Sequence, residues 1–176
     1  MPETGSAQAG AIAYLTGEYP RATDTFIQRE VAGLRDLGRE VLTCTVRRPS
    51  GNTLGSGPVA AEAARTFCIL EKARAPHRLI GAHLAEILHA PGRWLSALRL
   101  AWQTRPPGLK ALVWQLFYFA EAGILARHLR RNGVVHLHNH FGDSSGSVAM
   151  LASAISGIPF SITLHLFAVP RRACRA

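Results

Sequence analysis

Hydrophobic and polar positions along this chain follow two alternating periods. Ala11 to Leu15 (AIAYL) is a short apolar run ended by the turn residues Thr16 and Gly17, the pattern of a buried strand. After the loop GEYPRATD, Ile27, Val31 and Leu34 recur at spacings of four and three. That places them on one face of a helix, which Gly38 ends. Asp24 or Thr25 can cap this helix, and Thr25 with Gln28 fits a capping box. Glu40 to Val46 (EVLTCTV) is apolar and β-rich, a second strand. Arg47 to Pro58 has the composition of an exposed loop, and Thr66 to Leu70 (TFCIL) fits a third strand.

The stretch from His77 to Gly133 is helical in pattern, broken at Pro91-Gly92 and at Pro106-Pro107-Gly108. Its last helix carries Leu109, Leu112, Val113, Leu116, Phe117, Ala120, Ile124 and Leu125. They fall on more than one face, so this helix is expected to be largely buried. Its end, RHLRRNG, is basic, as suits a helix C-terminus. Val134 to His140 then reads as a strand, Gly142 to Gly146 as a glycine- and serine-rich turn, the Ala/Leu-rich segment up to Gly157 as a helix, and Phe160 to Leu164 as a strand. Strand, loop, helix and strand make a βαβ unit. The expected fold is therefore α/β and Rossmann-like: a mainly parallel sheet with flanking helices and a helical insertion before the fourth strand. The expected organisation is a leader over residues 1–10, one domain over 11–165 and an aberrant basic tail over 166–176.

Composition narrows the picture. The 176 residues hold 20 Lys+Arg against 11 Asp+Glu, a net charge of +9, with Lys72 and Lys110 the only lysines. Such a surplus favours anionic partners, and a solvated arginine-rich surface accounts for it equally well. No concentrated basic stripe with interleaved aromatics is visible, so nucleic acid is not expected as a partner. Cys44, Cys68 and Cys174 are odd in number and lack CxxC spacing, which argues against a disulfide framework and for a reducing compartment. The start, MPETGSAQAG, lacks the basic and apolar regions of a secretory signal. The longest apolar segment, Leu112 to Ala126, contains Gln115 and Glu121 and is shorter than the roughly 20 apolar residues of a bilayer span. The expectation is a cytoplasmic protein, with peripheral contact at the inner membrane face left open.

The candidate chemistry sits at the ends of the first and fourth strands. His136, His138 and His140 alternate, so their side chains share one face of an extended strand. Three imidazoles on one face suit a transition metal. Against this, Asn139 stands where the HxHxDH pattern of binuclear hydrolases has aspartate. The preferred reading makes His140, at the strand end, the ligand-facing residue, with His136 and His138 structural. The turn Gly142-Asp143-Ser144-Ser145 opens a helix and fits a phosphate or hydroxyl site, or simple capping by Asp143 or Ser144. The first loop lacks GxGxxG, so a dinucleotide cofactor is poorly supported. Its Glu18, Arg21, Asp24 and Thr25 could bond sugar hydroxyls or form an ordinary capped turn.

Two long motifs, YLTGEYPRATDTFIQREVAGLRDLGREV and HLHNHFGDSSGSVAMLASAISGIPFSITLH, resemble the N-terminal domain of a family 4 retaining glycosyltransferase of the GT-B fold, in the colanic-acid and exopolysaccharide branch. The resemblance covers about Ala11 to His165. It implies an acceptor-binding domain of an enzyme that transfers a sugar from a nucleotide-diphosphate donor with retention and without a metal or other cofactor. The acceptors it implies are typically lipid-linked. By motif position it implicates His140 near the transferred sugar, Gly17 and Glu18 near acceptor and donor phosphate, and His165 on the cleft wall. A non-catalytic module binding a phosphorylated ligand or another anionic partner is the alternative. Family members continue with a second Rossmann domain carrying an E-x7-E motif, which does not occur here. The 176 residues alone are therefore expected to be inactive, and sugar transfer by the purified chain from any nucleotide sugar would overturn that expectation.

Overall fold

The computed structural model describes residues 10–21, 23–49 and 57–164. In chain order its elements are β1 (Ala11–Glu18), α1 (Thr25–Asp36), β2 (Val41–Arg47), α2 (Pro58–Arg65), β3 (Phe67–Cys68) and α3 (Ile69–Ala73). There follow α4 (Pro76–His89), α5 (Pro91–Thr104), α6 (Leu109–Arg131), β4 (Val134–His140), α7 (Ser144–Ser156) and β5 (Phe160–Thr163). All strand pairs are parallel and the order is β3-β2-β1-β4-β5. The fold is α/β and Rossmann-like. Because β2 and β4 lie on opposite sides of β1, the winding reverses there, and a crevice opens at the carboxyl ends of β1 and β4.

Each face of the sheet has its own apolar layer. Tyr14 and Val41 pack with Ile27 and Val31 of α1. On the other face Ala13, Leu15, Cys44 and Leu137 meet residues of α6 and α7 such as Leu125, Val148 and Leu151. Glu62 of α2 ties the first layer together, accepting from Arg35 of α1 at 2.7 Å and from the Thr43 hydroxyl of β2 at 2.8 Å. In the helical insertion, Glu86 of α4 is 1% exposed and pairs with Arg130 of α6 at 2.8 Å.

Several elements depart from the sequence pattern. β1 continues through Gly17 to Glu18, because parallel pairing with β2 persists to Glu18↔Arg47. The third strand shrinks to Phe67–Cys68, and a helical turn takes over at the fully buried Ile69. The segment assigned to an exposed loop ends in α2, which starts at Pro58; residues 50–56 lie outside the described residues. The capping box does not form. The Asp24 carboxylate instead accepts the Arg21 backbone N–H at 3.1 Å, while Gln28 donates to the Arg21 carbonyl at 2.9 Å.

Helix α6 is only half buried. Glu121 to Ala126 and Leu129 are in the core, whereas Leu109 is 83% exposed and Trp114, Leu116 and Phe117 are each more than half exposed. The reason is length. Its 23 residues extend about 35 Å, against roughly 23 Å for the seven residues of β4, so the first turns project past the sheet. Among the described residues α6 is the one helix long and apolar enough to cross a membrane, and its second half is protein core.

A histidine locks α4 and α5 onto α6. Trp94 donates to His83 Nδ1 at 3.0 Å, which leaves Nε2 to donate to the Ala120 carbonyl at 3.2 Å. Burial lowers the pKa of this ring and favours the neutral form. The imidazole lies on Gly123, where a Cβ would stand 2.3 Å from Nε2. Gly123→Ala is therefore expected to cost about 1–3 kcal/mol through overpacking. Gly33→Ala, on α1 with open space around it, should stabilise by roughly 0.5–1 kcal/mol. Chemical denaturation of the two variants checks both signs.

Candidate functional site

The crevice between β1 and β4 is a polar cavity of about 190 Å³ lined by Thr16, Gly17 and Glu18 of β1, Arg21, Arg47 of β2, Phe141 and Asp143. Gly17 makes it possible. A Cβ there would lie 2.8 Å from Asp143 Oδ2, so only glycine lets this carboxylate reach the end of β1. Asp143 also caps α7, accepting the Ser145 backbone N–H at 2.8 Å and its hydroxyl at 2.6 Å. Between β4 and this cap, Phe141 takes the left-handed conformation (φ 77°), strained for a residue with a Cβ. Its N–H donates to the Thr163 carbonyl at 3.0 Å, and its own carbonyl accepts from Asn139 Nδ2 at 2.6 Å, which holds the turn.

The charges of the cavity are compensated within it. Glu18 pairs with its register partner Arg47 at 3.0 Å. Asp24, 2% exposed, grips Arg21 at 3.0 Å and so acts on the cavity through Arg21. The result is an alternation of donors and acceptors with no large net charge, joined by the buried Thr16 hydroxyl, which has no hydrogen-bond partner among the described residues. Such a lining fits the hydroxyls of a neutral polyol better than a bare polyanion.

The anion site expected at the amino end of α7 is closed by its own cap. The Ser145 N–H is taken by Asp143 Oδ1 and the Gly146 N–H by the Asp143 carbonyl. Ser145 itself is wholly buried, so its role is structural. Gly142 is confined by Leu164, whose Cδ2 would stand 2.6 Å from a Cβ. Thr25 is exposed on α1, in a groove beside Tyr19 and Glu62, away from the strand ends. His165 lies outside the described residues. Of the sequence candidates, Gly17, Glu18, Arg21 and Asp143 come together. Arg47, Phe141 and Thr16 join them unannounced, although Arg47 could have been found as the residue ending the second strand.

The three histidines do share a face, the one covered by α1. His136 Nε2 and His138 Nδ1 both meet the Ser161 hydroxyl of β5 at 2.8 Å, so one ring donates to that oxygen and the other accepts its proton. His138 Nε2 lies 3.3 Å from the Thr163 hydroxyl, and burial lowers this ring's pKa. His140 was expected to face a ligand. The structure instead encloses it at 2% exposure, with ring centroids of Tyr14 at 5.4 Å and Phe26 at 5.7 Å and Glu30 Oε2 at 3.6 Å. The reason is α1, which passes over the strand end and covers the ring. Glu30, His138 and His140 bring ligand atoms within 4.8 Å of one another, but Glu30 already accepts the Tyr14 hydroxyl at 2.6 Å.

A second cavity, about 910 Å³, adjoins the first, and Arg47 lines both. Its floor includes Glu121 of α6, 8% exposed, whose Oε2 is buried with no hydrogen-bond partner among the described residues. Burial pushes the Glu121 carboxyl up to about 7, with Arg47 pulling the other way. The periodicity of α6 gave no hint of this residue, since a carboxylate on an apolar helix face reads as an interruption.

No protein-family model matches the chain, and neither a curated protein nor a solved structure matches it.

Glu121 carries a pH signature. An unfolded glutamate titrates near 4.3–4.5, so between about pH 4.5 and 7 the folded chain holds a proton that the unfolded chain has lost. Stability from this group is complete below that window and is lost as pH rises through it. Glu121→Gln should thus gain about 2–3 kcal/mol at pH 8 and nothing at pH 4. His128, stacked on Phe67 at 3.7 Å and lowered to about 4 by burial, slopes the other way in both proteins. The difference between variant and parent in urea denaturation at the two pH values therefore isolates Glu121.

Proposed function

We propose that this chain is the acceptor-side domain of a retaining glycosyltransferase acting on an exopolysaccharide or other cell-envelope glycan. The observation that carries this reading is the crevice itself. Gly17, Glu18, Arg21, Arg47 and Asp143 meet at the strand-order reversal, as a charge-compensated set of donors and acceptors sized for part of a sugar. The resemblance of the two long motifs supports it in part: of the residues it implicates, Gly17 and Glu18 line the crevice, whereas His140 is buried beside it and His165 lies outside the described residues.

In this reading Glu18 and Asp143 accept from acceptor hydroxyls and Arg21 donates to ring or hydroxyl oxygens. Asp24 holds Arg21 in place, and Gly17 leaves room for Asp143. His140 enters indirectly, as packing beneath the Phe141 turn. The sugar comes from a nucleotide-diphosphate donor held elsewhere than in this crevice, and the acceptor is lipid-linked. The charge compensation favours this over the rival reading of a module for a phosphorylated ligand.

The test is a titration of the ¹⁵N-labelled protein with cellobiose, maltose and, separately, sodium pyrophosphate. A disaccharide should shift the amides of Gly17, Glu18 and Asp143 at millimolar concentration. Glu18→Gln should weaken that binding roughly 10-fold, the worth of a hydrogen bond to a charged group. Silence of the crevice toward both disaccharides, or tighter binding of pyrophosphate there, overturns the proposal.

A further inference from the structure

Five arginines of this fold are matched to acids. Arg21, Arg35, Arg47, Arg48 and Arg130 each pair with a carboxylate at 2.7–3.0 Å. One cavity breaks the pattern. It measures about 380 Å³ and lies where α3, α4 and the carboxyl end of α6 meet. Lys72 of α3, Arg78 of α4 and Arg127 and Arg131 of α6 line it, and no Asp or Glu does. None of these four cations has an ion pair among the described residues. Glu71, beside Lys72, and Glu86, within electrostatic reach of Arg127, are already held by Arg48 at 2.9 Å and Arg130 at 2.8 Å.

Helix electrostatics sharpen the imbalance. The first turn of α4 contains no acid and its cap, Ala75, has no side chain that can accept. Arg78 therefore stands against the positive end of the helix dipole, where an acid is the stabilising choice. Arg127 is fixed in place by donating to the Gly81 carbonyl of α4. At the floor His128 stacks on Phe67, and burial lowers its pKa so that the ring is neutral. Asn132 Nδ2 donates to the His128 carbonyl at 2.7 Å and lies 3.3 Å from Nδ1, so Nδ1 accepts and Nε2 carries the proton. That Nε2 is buried and has no hydrogen-bond partner among the described residues. The lining thus presents donors from three helices and no carboxylate to meet them.

We infer that this cavity binds a compact polyphosphate, two or three phosphoryl groups long. Its oxygens lie among Lys72, Arg78, Arg127 and Arg131, so the ligand ties α4 to α3 and α6. Charge and size choose the ligand. Four cations call for several negative charges in one small molecule, and a monovalent anion leaves most of them unmatched. Guanidinium forks meet phosphoryl oxygens in pairs, which favours a phosphate over a diffuse anion. The volume is in the range of roughly 300–1,000 Å³ typical of small-molecule sites, whereas a membrane or a duplex needs an open face. The cavity shares no lining residue with the crevice. Arg131 leads into the amino end of β4, roughly 23 Å of strand away from the crevice at its carboxyl end. The inference therefore stands apart from the transferase reading, its donor and its acceptor.

The probe is sodium tripolyphosphate, titrated into the ¹⁵N-labelled intact chain at about 0.15 M salt, where exposed charges are screened over roughly 8 Å. Orthophosphate at matched ionic strength is the second arm. The expected result is saturable 1:1 binding of tripolyphosphate, at least about 10-fold tighter than orthophosphate. The amides of Lys72, Arg78, Gly81 and Arg131 should shift and those of Gly17 and Glu18 should not. Arg78→Ala and Arg131→Ala, both at exposed positions, should each weaken binding about 5-fold or more, while Arg99→Ala, an exposed arginine of α5 outside the cavity, should not. Equal affinity for the two anions removes the multivalent site, and an equal loss in Arg99→Ala reduces the effect to diffuse surface charge; either overturns the inference. So does binding of a short DNA duplex or of anionic phospholipid vesicles without saturable binding of tripolyphosphate, which would make this face a contact for an extended polyanion. Circular dichroism confirms that the variants fold. Disaccharide and pyrophosphate binding in the crevice is read from the amides of Gly17, Glu18 and Asp143, so the two proposals fail separately.

Discussion

Strand β1 is hydrogen-bonded along both edges, to β2 on one side and β4 on the other, and Ala11 and Ala13 to Gly17 are all buried. It is the shared edge of two βαβ halves that wind outward in opposite directions, so its carboxyl end is the one place where no crossover covers the sheet. Everything polar in the candidate site depends on that geometry. Glu18 meets Arg47 only because the β1–β2 register continues through Gly17, and Asp143 meets Gly17 only because β4 runs parallel alongside. A shift of one residue in either ladder would turn these side chains to the opposite face.

The same residue that lets the site form also limits what it can hold. Gly17 admits the Asp143 carboxylate, which takes the Ser145 N–H of α7 while the Asp143 backbone carbonyl takes that of Gly146, groups an anion would otherwise use. The cations at the crevice are likewise spent, Arg47 on Glu18 and Arg21 on Asp24. A net charge of +9 over the chain therefore does not translate into a strongly cationic crevice. The apolar surface has a parallel logic. Because α6 is longer than the strands it covers, its second half builds the core and its first half becomes the aromatic wall of a separate cavity. One helix thus builds the core and lines that cavity, with Glu121 at the junction.

Much of the fold was legible in the chain. Val134 to His140 and the helix ending at Gly157 lie where the pattern put them, because strand alternation and a left-handed glycine cap are local properties. The breaks at Pro91 and Pro106 separate the insertion helices as expected, since a missing N–H and a fixed φ act without regard to the rest of the molecule. The misses share a cause. Thr66 to Leu70 has strand composition, yet only Phe67 and Cys68 find a partner on β2, and the chain coils once pairing ends. Thr25 and Gln28 have capping-box spacing, yet Arg21 is near enough to claim both Asp24 and Gln28.

The order of the main strands and helices, the parallel α/β class and the crevice at two strand ends were legible in the sequence alone. They follow from periodicity and from the short-range demands of glycine, proline and helix caps. Tertiary structure decided which side chains face that site and which are buried beside it. His140 stood at the open end of its strand until α1 passed over it, and Arg47 and Glu121 lie 74 positions apart, so no local pattern relates them. The relation between such residues is set by strand register and helix overhang, which are properties of how the elements pack.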